Sequence, residues 1–343
     1  MTKSRFIVSK SKLLSQYKIL KDLGLDISYS LKTLPEIAHI LEDNTESFFS
    51  IHMMESLHFI KDKSRIWFLA QAWNNDRLNE ILKMGIRNFV VDNEKDLETL
   101  INYIDKINIK INLLLRMKLK EYTIHTGKYF VFGMSSDEIN DLIPKLRNNK
   151  KIDKLGIHFH RKTQNTSEWS LKEELSQLLK KETIEKINVV NIGGGIPIEY
   201  KNSSDRNAKF IFEKIVELKN WLMDNYGIKT IIEPGRFLAG PSTKLETEIL
   251  TIYDNNIVVD ASIYNGALDT LLIPTKLLVE DELEEGKQFV IKGCTPCSMD
   301  IFRYDVKLKN PKIGNKIVFL NAGAYNFSTD FCNLQKLDVV IIK

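Results

Sequence analysis

The stretch Ile187-Asn188-Val189-Val190-Asn191-Ile192-Gly193-Gly194-Gly195 is an apolar run that stops at three consecutive glycines. A run this short, bounded by turn residues, has the pattern of a buried strand. The same texture recurs to either side of it. Asp26–Leu31, Glu46–Ile51, Arg65–Ala70, Asn88–Val91, Ile111–Met117, Leu155–His160 and Thr230–Glu233 bring the set to eight. The spacers between the runs have helix periodicity, with Leu78, Ile81 and Leu82 in Asp76–Met84, and Leu97, Leu100, Ile101 and Ile104 in Lys95–Ile104. Ser170–Lys180 and Ala208–Tyr226 read as further amphipathic helices. Ser135-Ser136-Asp137-Glu138 reads as a helix N-cap with an acidic first turn. Strands alternating with helices predict an α/β fold with a parallel sheet, and eight such units predict a closed (β/α)8 barrel.

Beyond about Gly240 the helix signal fades. Lys244–Tyr253, Asn256–Asp260, Gln288–Lys292, Ile313–Leu320 and Lys336–Ile342 are strand-like, with turn residues between them. The reading is therefore a barrel over residues 1–240, whose first residues could pack on the second domain, and a C-terminal β-domain over residues 241–343.

The chain has 343 residues, 43% of them hydrophobic and 27% charged, which is enough for one large domain and a smaller one. Its 49 basic and 45 acidic residues leave a net charge of +4, with no evident basic stripe. That balance argues against nucleic acid or a membrane surface as partner. Three cysteines make no disulfide framework. Residues 1–12 lack the apolar core of a secretory signal, and no run of about 18 apolar residues occurs. The cytoplasm is the expected location.

In a parallel barrel the loops after the strands build the active site. Lys32 ends the first run, and a lysine aimed into a barrel mouth is partly desolvated, which favours a Schiff-base nucleophile over the solvated loop lysine it would otherwise be. Gly193–Gly195 can close backbone amides around an anion, or simply turn the chain. By count it follows the seventh strand, and Glu233-Pro234-Gly235-Arg236 ends the eighth, where barrels often hold phosphate. Glu233 could pair with a ring nitrogen and Arg236 could fork onto phosphate, or the two could form an ion pair that stabilises the turn. His158 and His160 alternate on one strand face. No cysteine or carboxylate completes a metal set with them, so no metal is expected. His160, nearer the rim, suits stacking on a flat ring, whereas His158 reads as a core histidine. Cys294-Thr295-Pro296-Cys297 has redox-motif spacing without the βαβ context, so Cys297 reads with Asp300 as a thiol and a carboxylate on one loop. Tyr325 could donate its hydroxyl to phosphate or sit in the core. A lysine, an imidazole, a glycine cradle and an acid/arginine pair on one rim suggest a phosphorylated aldehyde cofactor.

Together these residues resemble the barrel-fold pyridoxal-phosphate decarboxylases that act on ornithine, diaminopimelate and carboxynorspermidine. Tyr29-Ser30-Leu31-Lys32 is similar to the family's Schiff-base lysine motif. His160 resembles its ring-stacking histidine, and Gly193–Gly195 its phosphate loop. Glu233-Pro234-Gly235-Arg236 resembles its pyridinium-pairing and phosphate turn, Gly323-Ala324-Tyr325 its phosphate tyrosine, and Lys128–Gly133 a lengthened lysine-phenylalanine-glycine element. The resemblance implies pyridoxal 5′-phosphate as cofactor and decarboxylation of a basic α-amino acid. It implies Cys297 as proton donor, Thr163 as the phosphate hydroxyl where the family has a serine, and Asp300 or Asp269 as partner of the substrate's distal ammonium. It also implies a homodimer with shared active sites.

There are departures from the family pattern. Cys297 precedes Asp300 by three positions where the family has four, so either the loop is shorter or Pro296 takes the cysteine's place. Asp260-Ala261-Ser262, Asp269, Pro274 and His158-Phe159-His160 are spaced as in the carboxynorspermidine branch, whereas Glu233–Arg236 is nearer the other two. Ile273 stands where a diaminopimelate enzyme carries an arginine. A racemase or epimerase of the same fold, and a non-catalytic cofactor-binding homologue, remain the alternatives.

Overall fold

The computed structural model describes residues 4–69, 71–119, 132–204, 207–326 and 328–343. The described residues form two compact units. One comprises Ile19–Ile196 and Asn207–Pro234, and the other the described parts of Met1–Lys18, Pro197–Arg206 and Gly235–Lys343. The second unit therefore takes up the chain at Gly235 rather than at 241. It also takes two earlier segments that a linear division leaves in the barrel.

The chain opens on β1 (Arg5–Ser9), which belongs to the second unit. The eight apolar runs then become β2 (Asp26–Ser30), β3 (Phe48–Ile51), β4 (Ile66–Leu69), β5 (Asn88–Val91), β6 (Ile111–Arg116), β7 (Ile152–His158), β8 (Val189–Asn191) and β9 (Lys229–Ile232). They pair in parallel in chain order, and β2 pairs with β9 to close the barrel. All four residues of β5 are buried, as expected of strands covered on both faces. Trp67, Val90, Leu114, Val189 and Ile231 form one cluster of the core.

Local chemistry starts the covering helices. Asn74 accepts from the Arg77 amide and Asn93 from the Asp96 amide, each at 2.8 Å. Ser135 and Glu138 make a capping box before the helix Ser136–Leu146. Each cap satisfies a backbone N–H that the helix itself leaves orphaned.

The second unit is a mostly antiparallel sheet. Its further strands are β10 (Thr243–Tyr253), β11 (Asn256–Val259), β12 (Leu278–Val279), β13 (Gln288–Lys292), β14 (Ile301–Lys307), β15 (Lys316–Leu320) and β16 (Asp338–Ile342). They run in the order β12-β15-β10-β11-β13-β14, while β1 pairs with both β10 and β16. Three of these strands escape the sequence pattern, β12 because it is only two residues long. β1 follows a polar N-terminus, and β14 carries Arg303 at a buried position, where it pairs with Glu282 at 3.1 Å. A charge facing inward breaks the period-two signal. Lys128–Val131, most of the lysine-phenylalanine-glycine element, lies outside the described residues. Among the described residues no helix is long and apolar enough to cross a membrane.

Candidate active site

The barrel unit brings Lys32, His52, Arg116, His158, His160 and Glu233 into electrostatic range of one another at the C-terminal ends of its strands. Lys32 follows β2 in a single 3-10 turn, Leu31–Thr33. Leu31 and Thr33 pack inward, which leaves Lys32 exposed rather than partly desolvated as its position predicts. Its charge is felt at both His52 and His160.

Glu233 lies just past β9, and side chains of three other strands converge on it. Oε1 accepts from Ser50 Oγ at 2.7 Å and from Asn191 Nδ2 at 2.8 Å, and Oε2 lies 3.2 Å from His158 Nε2. Burial works to raise its pKa. The His158 contact and the Ser50 hydrogen bond outweigh it and hold the carboxyl well below the usual range. Ser28 supports Ser50 at 2.7 Å, and Asn191 Oδ1 accepts from the Gly193 amide at 2.9 Å.

His160 presents an open face and is otherwise surrounded by protein. Its Nδ1 accepts from the Gly194 amide at 3.1 Å, so the ring proton sits on Nε2. Burial, then the charges of Lys32 and Arg116, push it down to about 3, and it is neutral at ordinary pH. His52 is likewise pushed down to about 3, by burial and then by Lys32.

In the glycine loop, Gly193 and Gly195 have φ of +64° and +111°. A Cβ would meet the Phe159 carbonyl at 2.3 Å at Gly193, the Glu233 carbonyl at 2.6 Å at Gly194 and the Lys162 carbonyl at 2.8 Å at Gly195. Only glycines fit there. The first two amides are already committed to Asn191 and His160. The amides of Gly195 and Ile196 donate to no described group. Thr163 lies in the facing loop, which Asn165 braces by bonding to Glu168 and Trp169. Arg161, beside His160 in sequence, is buried and pairs with Glu174.

The second unit holds a different constellation. Arg236 is buried and forks onto Asp269, with Nη1–Oδ2 at 2.6 Å and Nη2–Oδ1 at 3.2 Å, while Nη1 also meets Tyr200 Oη at 2.6 Å. The rings of Tyr200 and Tyr325 lie 5.6 and 5.3 Å from the guanidinium. Tyr325 adopts φ +55°, a left-handed conformation that a bulky residue keeps only where its surroundings impose it. A Cβ on Gly323 would meet the Ala239 carbonyl at 2.1 Å, which explains the glycine two residues before it.

On the loop after β13, Cys297 Sγ lies 3.1 Å from Tyr264 Oη. That hydrogen bond is the main cause that lowers the thiol pKa and raises the phenol to about 12. Asp300 is 1% exposed and accepts from the Ile263 amide at 2.9 Å and from the Thr295 amide and hydroxyl at 3.0 and 2.6 Å. Asp300 and Asp269 both have protein partners in the second unit. Asp300 is spent bracing the cysteine loop, and Asp269 is spent on Arg236.

Sequence reading missed Ser50, His52, Arg116 and Asn191. The period-two pattern carried a signal for two of them, since Ser50 and His52 share a strand face that ends beside Lys32. Among the described residues no group of three or more His, Cys, Asp or Glu could hold a metal ion.

The family model of the pyridoxal-dependent decarboxylases, for their pyridoxal-binding domain, matches residues 50–240. The chain belongs to the pyridoxal-dependent decarboxylases. The cofactor of that family is pyridoxal phosphate, and the open imidazole face, the charged Glu233 and the uncommitted loop amides are the donor set it requires. Among relatives in this decarboxylase family, the diaminopimelate decarboxylase of Aquifex aeolicus is 24% identical over 282 residues, 77% of this chain and 66% of that protein. The carboxynorspermidine/carboxyspermidine decarboxylase of Campylobacter jejuni is 23% identical over 262 residues, 69% of this chain and 64% of that protein. The chain thus spans just under two thirds of these two relatives. Among solved structures, diaminopimelate decarboxylase from Helicobacter pylori complexed with L-lysine superposes with a TM-score of 0.85 at 19% identity, covering 100% of this chain and 92% of that one. The arginine decarboxylase of Paramecium bursaria Chlorella virus bound to agmatine gives 0.81 at 20%, covering 100% and 96%. At such identity the likeness is one of fold.

Proposed function

We propose that this chain decarboxylates a basic α-amino acid with pyridoxal phosphate, as a cytoplasmic homodimer. The observation that carries the reading is Glu233, a carboxylate almost enclosed in protein and held well below its ordinary pKa by three side-chain donors. Such a group favours a protonated ring nitrogen, which a decarboxylase needs and a racemase can do without. Bound there, pyridoxal phosphate supplies an electron sink for the pair left when an α-carboxylate departs.

The chain's own residues do the rest. Lys32 offers the amine for the aldehyde carbon, and its exposure leaves that amine within reach of an incoming substrate. Glu233 keeps the proton on the ring nitrogen, and His160 lies against the ring face. The amides of Gly195 and Ile196, with Thr163, would take the phosphate oxygens. Cys297, its thiol lowered by Tyr264, delivers a proton to the α-carbon.

The relatives named for diaminopimelate, ornithine and carboxynorspermidine direct the substrate panel. Purified protein mixed with pyridoxal phosphate is expected to develop the visible absorbance of lysine-bound cofactor and to lose it in Lys32→Ala. Ornithine, lysine, diaminopimelate, arginine and carboxynorspermidine are then screened for carbon dioxide release. No release from any of them, with cofactor bound, would overturn the reading.

A further inference from the structure

We infer that His158 is a positioning residue whose Nε2–H fixes the Glu233 carboxylate so that one acceptor position is left for a ring N–H. The inference rests on the reading of Glu233 as partner of the cofactor's ring nitrogen.

An ionised carboxylate offers about four acceptor sites, two on each oxygen. Oε1 of Glu233 fills both of its sites, with Ser50 Oγ at 2.7 Å and Asn191 Nδ2 at 2.8 Å. Oε2 takes His158 Nε2 at 3.2 Å and no other described donor. Three sites are occupied and one remains, on the oxygen that His158 holds. The donors reach in from β3, β8 and β7, and the acid itself follows β9, so the carboxylate is held from three sides.

The kind of donor matters as much as its place. Nδ1 of His158 is buried with no partner, and the ring is 1% exposed. With the proton on Nε2, the uncompensated atom is an acceptor, which costs less than an uncompensated buried N–H. His158 aims the carboxylate through Nε2. A lysine or arginine there would aim it and neutralise it, and the ring nitrogen would then compete for the acid.

The test uses the full chain loaded with nitrogen-15-labelled pyridoxal phosphate, with the ring nitrogen resonance followed against pH. In the unmodified protein the ring nitrogen is expected to stay protonated across roughly pH 6 to 8. His158→Gln places an amide N–H near the position of Nε2, and His158→Asn places it near Nδ1. The Gln variant is expected to keep the protonated signal. The Asn and Leu variants are expected to lose it at a pH lower by about one unit or more. Their kcat is expected to fall by about 10- to 100-fold with KM little changed.

An Asn variant that folds, binds cofactor and titrates like the unmodified protein would overturn the proposal. So would a Gln variant as impaired as the Leu variant. Glu233→Gln separates the two readings. If it leaves the resonance unchanged, the assignment of Glu233 to the ring nitrogen fails. If it abolishes the protonated signal while His158→Asn does not, only the role of His158 fails.

Discussion

Glu233 and Arg236 stand three residues apart in the chain, and both are charged groups set into protein, yet they are stabilised in opposite ways. Glu233 meets a hydroxyl, an amide and an imidazole, which fill three of its four acceptor sites. Arg236 is met by a carboxylate in a two-point fork, which satisfies its donors and cancels its charge. A buried charge without a matched ion pair costs more desolvation, and perturbed buried acids cluster where the charge is used. A buried bidentate pair holds geometry first. The barrel unit thus holds an acid on three side-chain donors, and the second unit holds an arginine on a carboxylate.

The largest expected effect lies beside Glu233. Lys32→Ala should remove the visible absorbance of bound cofactor and lower kcat/KM by more than about 10³-fold, read by carbon dioxide release. Retained turnover would mean that the mouth is not where the chemistry occurs. Next comes the ion pair. Asp269→Ala should leave Arg236 buried and unmatched and cost about 3–5 kcal/mol in thermal or denaturant unfolding. Asp269→Leu with Arg236→Met should recover most of that loss. If the single change costs less than the double one, the pair is not structural and the contrast with Glu233 disappears.

Asp300→Asn tests a third kind of buried acid, one closed entirely within a loop. It loses acceptor capacity for the Thr295 and Ile263 donors and should cost about 1–3 kcal/mol. It should also slow the alkylation of Cys297 by disturbing the loop that presents it to Tyr264. Acid acts on the buried histidines. His52 and His160 have pKa values pushed down to about 3 from 6.5. The unfolded chain therefore binds more protons between those values, and stability is lost as pH falls from about 6.5 toward 3. Glu233, depressed from 4.5, adds stability that is present above that value and is lost as pH falls through its folded value. Unfolding followed between pH 7 and 4 should show the histidine part in the barrel, and His52→Phe should flatten it.

The barrel was largely legible because its signals are local. An apolar run, a helix period and a capping serine each need only neighbours within a few residues, and β5 and the helix Ser136–Leu146 begin at their expected positions. Lys32, His160 and Glu233 were legible for the same reason, as each ends a readable strand. β1 and β14 were not, because one is defined only by pairing with β10 and β16 and the other hides Arg303 in an inward position. Asp269 and Asp300 were visible as carboxylates, but nothing nearby in the chain announces that one faces Arg236 and the other the Thr295 loop.

The sequence by itself determined eight strands in order, the glycines that no side chain can replace, and the acid and lysine at the strand ends. Periodicity and backbone sterics act over a turn or a strand, so a single stretch of chain carries them. Only the tertiary structure decided which charges are cancelled and which are kept. Ser50, His158 and Asn191 reach Glu233 from 183, 75 and 42 residues away. A hydrogen-bond partner at that separation is set by how the strands close into a barrel, and the protonation of the acid at the centre follows from that closure.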